Sequence, residues 1–244
     1  MTTLHLIPVP LSELSESNPA RSLPADVVLL TRTLRYFVVE NAKSARAFLK
    51  TIEMPLPIAE LSICELRGRG KMGKSTAKTS DWDTLLAPIL QGHAIGLLSE
   101  AGCPAVADPG SELVQRAHQK SIPVLPHIGP SSLLLALMGS GLGGQHFAFH
   151  GYLPQEEQSR QQALTRLEDE SRRNDQTQIV IETPYRNRAF FESLLRSLKA
   201  DTQLCVAADL TMPSQLLKTQ SIQAWKKSEQ PMLDKRPAVF LFKY

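Results

Sequence analysis

Cysteine is scarce in this chain, and the three that occur, Cys64, Cys103 and Cys205, lie far apart. An odd number of widely spaced thiols provides neither a disulfide framework nor the paired cysteines of a zinc knuckle. The sequence is therefore typical of a protein from a reducing compartment, and we expect it to be cytoplasmic.

Long apolar stretches are missing as well. No segment approaches the roughly 18 consecutive apolar residues of a membrane helix. The start of the chain, MTTLHLIPVPLSELSESNPA, lacks the basic and apolar regions of a secretory signal. We therefore expect no membrane association.

Charge of one sign is not in large excess either: a net charge of +3 permits an anionic partner such as RNA but does not require one.

The chain shows neither a repeat of fixed period nor a low-complexity linker. Instead, short apolar segments alternate with amphipathic helical patterns, which predicts an α/β fold with parallel or mixed sheets covered by helices. Strands are predicted at 4–10, 26–31, 61–66, 94–100, 122–128, 146–154, 178–183, 203–210 and 237–244. Helices are predicted at 39–52, 80–92, 111–120, 130–141, 156–174 and 187–198.

The segment LPHIGPSS marks the predicted domain boundary, because two prolines and a glycine follow a strand there. It divides the chain into two α/β domains of similar size, 1–127 and 128–244. The helix predicted at 130–141 has a near-continuous apolar sequence, so we expect it to be buried.

The segment GRGKMGKST, 68–76, fits the pattern G-x-x-x-x-G-K-[ST] of phosphate-binding loops. In such a loop the lysine and the hydroxyl residue begin a helix whose N-terminus faces the phosphates. Here the first helix-capping residue before an apolar periodicity is Ser80, several residues too late. We interpret the segment as a basic loop whose Lys71 and Lys74 are suited to contact nucleic-acid phosphates. A nucleotide hydrolase that uses 68–75 stays open as an alternative.

Other functional patterns are weaker. GSGLGG, 139–144, follows a predicted helix rather than a strand, so we interpret it as a helix end and not as a dinucleotide site. His146 and His150 share one side of a predicted strand, but no third ligand is near in sequence, and no metal site is predicted. Cys103 has no nearby histidine that would activate it as a nucleophile.

The segment AIGLLSEAGCPAVADPG, 94–110, is of a different kind. An apolar strand runs into a loop of small residues, and Asp108, Pro109 and Gly110 then lead into a helix. Small residues at the carboxyl end of a parallel strand allow a ligand to approach the backbone closely. This segment therefore predicts a ligand-binding loop.

At this point the chain resembles the tetrapyrrole methylase superfamily of S-adenosylmethionine-dependent methyltransferases, and in particular the bacterial ribosomal RNA small-subunit ribose 2′-O-methyltransferase I group. Several segments are similar to family motifs and occur in the family's order. SEAGCPAVADPG is similar to SDAGTPLISDPG, IGPSSLLLALMGSGL to the PGPSA helix start, FAFHGYLP to F.F.GFLP, ETPYRNRAFFESL to ESPHR…TL, and AADLT to ARELT. With the opening LHLIPVPLSEL and the segment VVENAKSARAFL, the resemblance extends from Leu4 to about Thr211.

The resemblance implies two α/β domains with S-adenosylmethionine, the methyl donor, bound in the cleft between them, and it implies a homodimer. Carried over by position, it implies that the donor is bound by Pro10, Glu100, Ala101, Gly102, Cys103, Val106, Ser131, Ser132, Ala208 and Pro237. It also implies RNA, specifically ribosomal RNA, as the acceptor. Arg186, in ETPYR, is a candidate for a phosphate contact, with a surface ion pair as its alternative.

The chain departs from the family mainly on the acceptor side. The family's EDTR reads Glu40, Asn41, Ala42 and Lys43 here, and the first residue of DAG is Glu100. The motifs on the donor side match the family more completely, so we expect the donor to be bound. A non-catalytic relative that binds RNA or a protein, and a methylase of a small molecule such as a tetrapyrrole, stay open as further alternatives.

A ribose hydroxyl is a weak nucleophile at neutral pH and benefits from a general base. Glu182 is the first candidate, because it ends a predicted strand at the expected cleft. Its alternative role is structural, as a cap on neighbouring backbone N–H groups. Glu40 and Glu100 are the other candidates for the base.

Overall fold

The computed structural model describes residues 2–11, 22–66 and 79–244. Lys71, Lys74 and the rest of the loop at 68–75 lie outside the described residues. The chain forms two compact units, Met1–Ser131 and Ser132–Tyr244.

The first unit is built on a parallel sheet. Its strands are β1 (Leu4–Ile7), β2 (Tyr36–Val39), β3 (Ser62–Glu65), β4 (Ile95–Leu98) and β5 (Val124–Pro126), and its helices are α1 (Ala25–Thr33), α2 (Ala42–Thr51), α3 (Thr79–Leu90) and α4 (Ser111–Gln119). The strand order is β3-β2-β4-β1-β5, with every pair parallel. All four residues of β4 are buried, as expected for a central strand with helices on both faces. The parallel arrangement places the carboxyl ends of all five strands at one edge.

Two apolar clusters cover the faces of this sheet, because neighbouring residues of a strand point to opposite sides. Phe37 of β2 packs in one cluster with Val27 of α1 and Phe48 of α2. The next residue, Val38, packs in the other cluster with Leu86 of α3.

The second unit is built on a mixed sheet. Its strands are β6 (Phe147–Tyr152), β7 (Thr177–Glu182), β8 (Gln203–Ala208), β9 (Leu216–Ser221) and β10 (Ala238–Lys243), and its helices are α5 (Ser132–Ser140), α6 (Glu157–Asn174), α7 (Asn187–Ser197) and α8 (Ile222–Lys227). The order is β6-β7-β10-β8-β9, and only β6 and β7 are parallel. Trp225 of α8 and Phe191 of α7 meet edge to face in its core. A parallel and a mixed sheet, each with helices, confirm the predicted fold class.

The strand predicted at 26–31 is wrong, since this segment forms α1. A short apolar run such as DVVLLT does not reveal its period, and a helix is consistent with Val27 and Thr31, four residues apart, being its buried positions. The strand of this region is β2, just after α1, which the sequence interpretation missed. It also missed β9 and α8.

The helix predicted at 130–141 is less buried than expected. Within α5 only Ala136, Leu137 and Ser140 are buried, while Leu134 and Met138 are 52% and 80% exposed. The helix packs through one face in spite of its uniform apolar sequence. Gly141, with φ +70°, follows its last residue, which confirms that GSGLGG ends a helix.

Candidate functional site

Three loops leave the carboxyl edge of the parallel sheet side by side. They are 8–11 after β1, 99–110 after β4 and 127–131 after β5, and these strands are neighbours in the order β4-β1-β5. The structure thus brings together the predicted donor-binding residues of the first unit: Pro10, Glu100, Ala101, Gly102, Cys103, Val106 and Ser131.

Loop 99–110 is fastened to each of the other two loops. Val9 and Gly102 exchange two backbone hydrogen bonds of 3.0 Å each, and the Ser99 hydroxyl donates to the Gly102 carbonyl at 2.9 Å. The next residue after Gly102 contacts the third loop, since the Cys103 thiol lies 3.4 Å from the carbonyl oxygen of Pro130. These contacts hold the three loops as one surface.

Loop 127–131 also packs against loop 8–11 at Gly129. A Cβ atom placed on Gly129 would lie 2.3 Å from Cβ and 2.6 Å from Cγ of Pro8. No real side chain tolerates such distances, so the two backbones approach each other only because residue 129 is glycine.

The backbone of loop 99–110 is strained. Ala105 and Ala107 have φ values of 65° and 62°, a left-handed conformation that costs an L-residue about 1–2 kcal/mol. Strain of this kind persists where the surrounding structure imposes it, and it concentrates at functional sites. It therefore supports the prediction that this loop binds a ligand.

Cys103 is not activated as a nucleophile. Burial, and to a smaller extent the charge of Asp108, raise the pKa of its thiol above the ordinary value. The thiol therefore stays protonated at neutral pH, and it contributes a small neutral surface to the loop.

Three carboxyl groups gather at the same edge: Glu40 after β2, and Glu100 and Asp108 in loop 99–110. The Glu100 N–H donates to Glu40 Oε2 at 3.2 Å, and the Ser44 hydroxyl donates to Glu100 Oε1 at 3.3 Å. Burial raises the pKa of Glu40 most, and the charge of Glu100 raises it further, whereas the Glu100 N–H lowers it.

Asp108, the third of these carboxyl groups, has a strongly raised pKa. Burial, followed by the charges of Glu40 and Glu100, raises its pKa to about 7. No donor among the described residues hydrogen-bonds its carboxylate to offset these effects. A carboxyl group that titrates near neutral pH is suited to accept and release a proton. Sequence reasoning singled out Glu40 and Glu100 but missed Asp108, although all three follow strands of one parallel sheet.

Loop 127–131 begins with a histidine that is tied to β1. His127 Nε2 and His5 Nδ1 are 2.9 Å apart, and the two rings stack, so one of the two nitrogens carries the shared proton. The pKa of His5 is lowered by burial, by His127 and by the N-terminus, in that order. The pKa of His127 is also lowered by burial, which outweighs the opposing charge of Asp26. Both rings are therefore neutral at neutral pH.

This pair predicts a loss of stability in mild acid. A histidine with a lowered folded pKa binds fewer protons folded than unfolded, so the free energy of unfolding is maintained above about pH 6.5 and falls as the pH drops below that value. Urea unfolding from pH 8 to about pH 5 should show the fall, and His127→Gln should flatten it. The control is His118→Gln at an exposed position, and it should show the same fall in the free energy of unfolding as the wild type. The same pH dependence in the wild type and both variants would contradict the prediction.

In the second unit, Glu182, Ala208 and Pro237 lie together. Ala238 pairs with Glu182 on one side and Ala208 on the other, and Pro237 precedes it. Ser132, the other predicted donor-binding residue of this unit, begins α5.

The Glu182 carboxylate is fully engaged at one oxygen. Its Oε1 accepts from the Thr183 N–H at 2.6 Å and from Arg186 Nη2 and Nε at 2.6 and 3.1 Å, and the side chain is only 4% exposed. These are the contacts of the structural alternatives, a backbone cap and an ion pair. The catalytic role of Glu182 and the phosphate contact of Arg186 stay predictions.

These contacts predict that Glu182→Gln lowers the free energy of unfolding by about 1.5–3 kcal/mol, the range for hydrogen bonds to charged groups. Glu192→Gln is the control, because its 3.5 Å pair with Arg188 on α7 is exposed and should change stability by less than about 1 kcal/mol. Chemical denaturation measures both. Unchanged stability together with abolished methyl transfer would restore Glu182 as the base.

A second strained region follows β8. Asp209 and Thr211 have φ values of 49° and 74°, and Lys235 has 61°. Arg236 ties these segments together, because its Nε lies 2.7 Å from Asp209 Oδ2 and its carbonyl accepts from Asn187 Nδ2 at 2.6 Å. Sequence reasoning did not identify Asp209 or Arg236, whose pairing joins distant segments.

The two histidines considered as metal ligands do not form a site. His150 Nε2 lies 2.6 Å from the side-chain oxygen of Gln178, and the backbone carbonyl of His146 accepts from the Thr177 N–H. Across 2–11, 22–66 and 79–244 there is no group of three potential metal ligands. In the same ranges, no helix has the length and apolar character that a membrane span requires.

Solved structures with this fold define its structural class. The chain is similar to uroporphyrin-III-C-methyltransferase from Thermus thermophilus, with a TM-score of 0.54, 14% identity and coverage of 100% of this chain and 93% of that one. It is similar to the methyltransferase CobJ, with a TM-score of 0.61, 14% identity and coverage of 99% and 93%. It is also similar to cobalt precorrin-4 methyltransferase CbiF, with a TM-score of 0.57, 12% identity and coverage of 99% of this chain and 95% of that one. The fold is that of the tetrapyrrole methylases.

Relatives by sequence identify the family within this class. A protein of Synechocystis sp. named ribosomal RNA small subunit methyltransferase I is 30% identical over 211 residues, 86% of this chain and 68% of its own. Two proteins of the same name are similar over 127 residues, which is 52% of this chain. The one from Halalkalibacterium halodurans is 35% identical and covered over 42% of its length. The one from Vibrio cholerae is 34% identical and covered over 43% of its length. The chain matches no protein-family model.

The chain belongs to the ribosomal RNA small subunit methyltransferase I family. This membership confirms the predicted resemblance and the predicted class of enzyme, a methyltransferase. The alignments with the Halalkalibacterium and Vibrio relatives span less than half of those proteins.

Proposed function

We propose that this protein transfers the methyl group of S-adenosylmethionine to a ribose 2′-hydroxyl of RNA, in particular ribosomal RNA. The observation that carries the proposal is the strained loop 99–110, fastened to loops 8–11 and 127–131 at the carboxyl edge of the parallel sheet. Ligands of open α/β sheets bind at this edge. The family to which the chain belongs supplies the reaction class.

The residues of these loops fit the methyl donor. Gly102 has no side chain, Ala101 and Val106 are exposed, and the Cys103 thiol is neutral, so backbone and small side chains form the binding surface. The bound donor supplies an electrophilic methyl group on a sulfonium. The protein's own task is to align the acceptor with it, which contributes about 7–11 kcal/mol in well-oriented reactions. Ser132, Ala208 and Pro237 stay proposed donor contacts on the basis of the resemblance.

We propose Asp108 as the general base in preference to Glu182, whose catalytic role stays a prediction. A base works best when its pKa is near the operating pH, and the pKa of Asp108 is about 7. Its carboxylate Oδ atoms take the proton of the attacking hydroxyl, and burial, followed by the charges of Glu40 and Glu100, maintains the basicity. Partial protonation of Asp108 also reduces the repulsion that three carboxylates would exert on an RNA phosphate. Lys71 and Lys74 stay proposed phosphate contacts.

Isothermal titration with S-adenosylmethionine tests the donor site, with ATP–magnesium as the parallel ligand. We expect micromolar donor binding and no ATP binding, both unchanged in Lys74→Ala. ATP binding that is lost in Lys74→Ala, without donor binding, would establish the nucleotide hydrolase instead. Absence of both would favour a non-catalytic relative.

The acceptor is tested with labelled S-adenosylmethionine and small ribosomal subunits from a strain that lacks this protein. Label in RNA that resists base removal would support ribose methylation, and label only in a tetrapyrrole added in parallel would contradict the RNA assignment.

We further propose that the protein acts as a homodimer, as the resemblance implies, and in the cytoplasm, as its few scattered cysteines indicate. Light scattering on the purified protein measures the dimer, and a monomer at working concentration would contradict it.

A further inference from the structure

A cavity of about 550 Å³ lies at the amino-terminal edge of the parallel sheet, opposite to the proposed donor loops. It is formed by the start of β1, the end of α1, the start of β2 and the turn before β4. Its lining includes Thr3, His5, Leu34, Arg35, Tyr36 and His93. Its volume is typical of small-molecule sites, which range from about 300 to 1,000 Å³.

His5 presents an unused nitrogen in this cavity. The residue is only 7% exposed, and its Nδ1 is hydrogen-bonded to His127. Its Nε2 has no hydrogen-bond partner among the described residues. The buried side-chain atoms without a partner among the described residues are Ser22 Oγ and Asn187 Oδ1, so the unpaired His5 Nε2 is reached by solvent. Because His5 lines the cavity, this nitrogen is available to a ligand there.

The rim adds an aromatic surface and a positive charge. The rings of Tyr36 and His93 stack with centroids 4.8 Å apart, and both line the cavity. Arg35 is exposed next to Tyr36 and forms no ion pair with any described acid, and no lining residue is acidic. Stacked rings beside a free guanidinium are suited to a planar heteroaromatic group that carries an anion.

We propose that this cavity binds a nucleotide, with its base against Tyr36 and His93 and its phosphate at Arg35. His5 Nε2 hydrogen-bonds the base or the sugar. The nucleotide is a free mononucleotide or one unit of an RNA chain. The strands of this sheet are at most four residues long, about 13 Å, so an RNA held at one edge reaches the other within a few nucleotides. The proposal does not depend on methyl transfer.

The test is calorimetric titration of the full chain with UMP, in the presence of S-adenosylhomocysteine to occupy the donor loops. We expect millimolar or tighter binding, with shifts of the His5 and His93 imidazole signals in NMR spectra. Arg35→Ala and His93→Ala, both at exposed side chains, should weaken binding at least about tenfold, the loss expected for a charged hydrogen bond or a stacking contact. Arg32→Ala is the matched control, because Arg32 lies three residues earlier, in the last turn of α1, and is not part of the cavity lining.

Titration with a short oligouridylate distinguishes a site for a free mononucleotide from a site for one unit of an RNA chain. Binding at least about tenfold tighter than UMP, with a steep salt dependence, identifies RNA, and equal binding identifies a free nucleotide. Absence of heat and of imidazole shifts at millimolar UMP would overturn the proposal, as would wild-type affinity in both Arg35→Ala and His93→Ala. A separate S-adenosylhomocysteine titration reports on the donor site, so failure of one site is distinguishable from failure of the other.

Discussion

Asp108→Asn is expected to reduce the rate of methyl transfer by about 10²–10⁴-fold, the usual contribution of a general base. The amide is nearly isosteric with the carboxyl group but accepts no proton from the attacking hydroxyl. The affinity for S-adenosylmethionine should change little, because the backbone that forms the loop surface is retained. Single-turnover rates with saturating donor and RNA, beside calorimetric donor affinities, separate the two effects.

The pH dependence gives a second measure of the same group. The base acts when it is deprotonated, so the wild-type rate should rise with pH through the Asp108 pKa of about 7 and then level off. Glu100→Gln removes a charge that raises this pKa, so the midpoint should move to lower pH. Glu112→Gln, just after the loop on α4, is the control and should leave the midpoint unchanged. A full rate in Asp108→Asn, or a midpoint that Glu100→Gln does not move, would remove Asp108 from the mechanism.

Loop 99–110 at the end of β4, the proposed donor loop, could be located from sequence because its signal is local. A buried strand followed by small residues and the Asp108-Pro109-Gly110 turn lies within one segment, and this segment also carries the family resemblance. The central strand β4 has no polar residue that would confuse its assignment. By contrast, DVVLLT reads equally well as a strand or a helix, and only packing against Phe37 and Phe48 decides for the helix.

Asp108 was missed as a candidate base because its pKa depends on residues that are distant in the sequence. The pKa of Asp108 depends on burial and on Glu40, which lies 68 positions earlier in the numbering. Glu182 looked suitable as a base because it ends a strand, but its chemistry depends on the Arg186 side chain that folds back onto it. In both cases residue type and position were visible, while the electrostatic surroundings required the fold.

Gly129→Ala is expected to disrupt the donor site from a position that carries no functional group. The added Cβ would lie 2.3 Å from Cβ of Pro8, so loop 8–11 or loop 127–131 must move. Overpacking of this kind costs about 1–3 kcal/mol of stability. Because loop 127–131 also holds Cys103 through the Pro130 carbonyl, the displacement reaches loop 99–110, and we expect donor affinity to fall at least about tenfold, which corresponds to 1.4 kcal/mol.

A rescue experiment separates this local effect from general destabilisation. Pro8→Gly removes the atoms that the new Cβ would meet, so the double variant Pro8→Gly/Gly129→Ala should bind the donor more tightly than Gly129→Ala alone. Gly144→Ala is the matched control, since its Cβ would make only ordinary contacts of 3.6 and 3.7 Å with Leu137. The measurement is calorimetric titration with S-adenosylmethionine of the wild type, Gly129→Ala, the double variant and Gly144→Ala. Wild-type affinity in Gly129→Ala would mean that the donor does not depend on the packed arrangement of loops 8–11, 99–110 and 127–131.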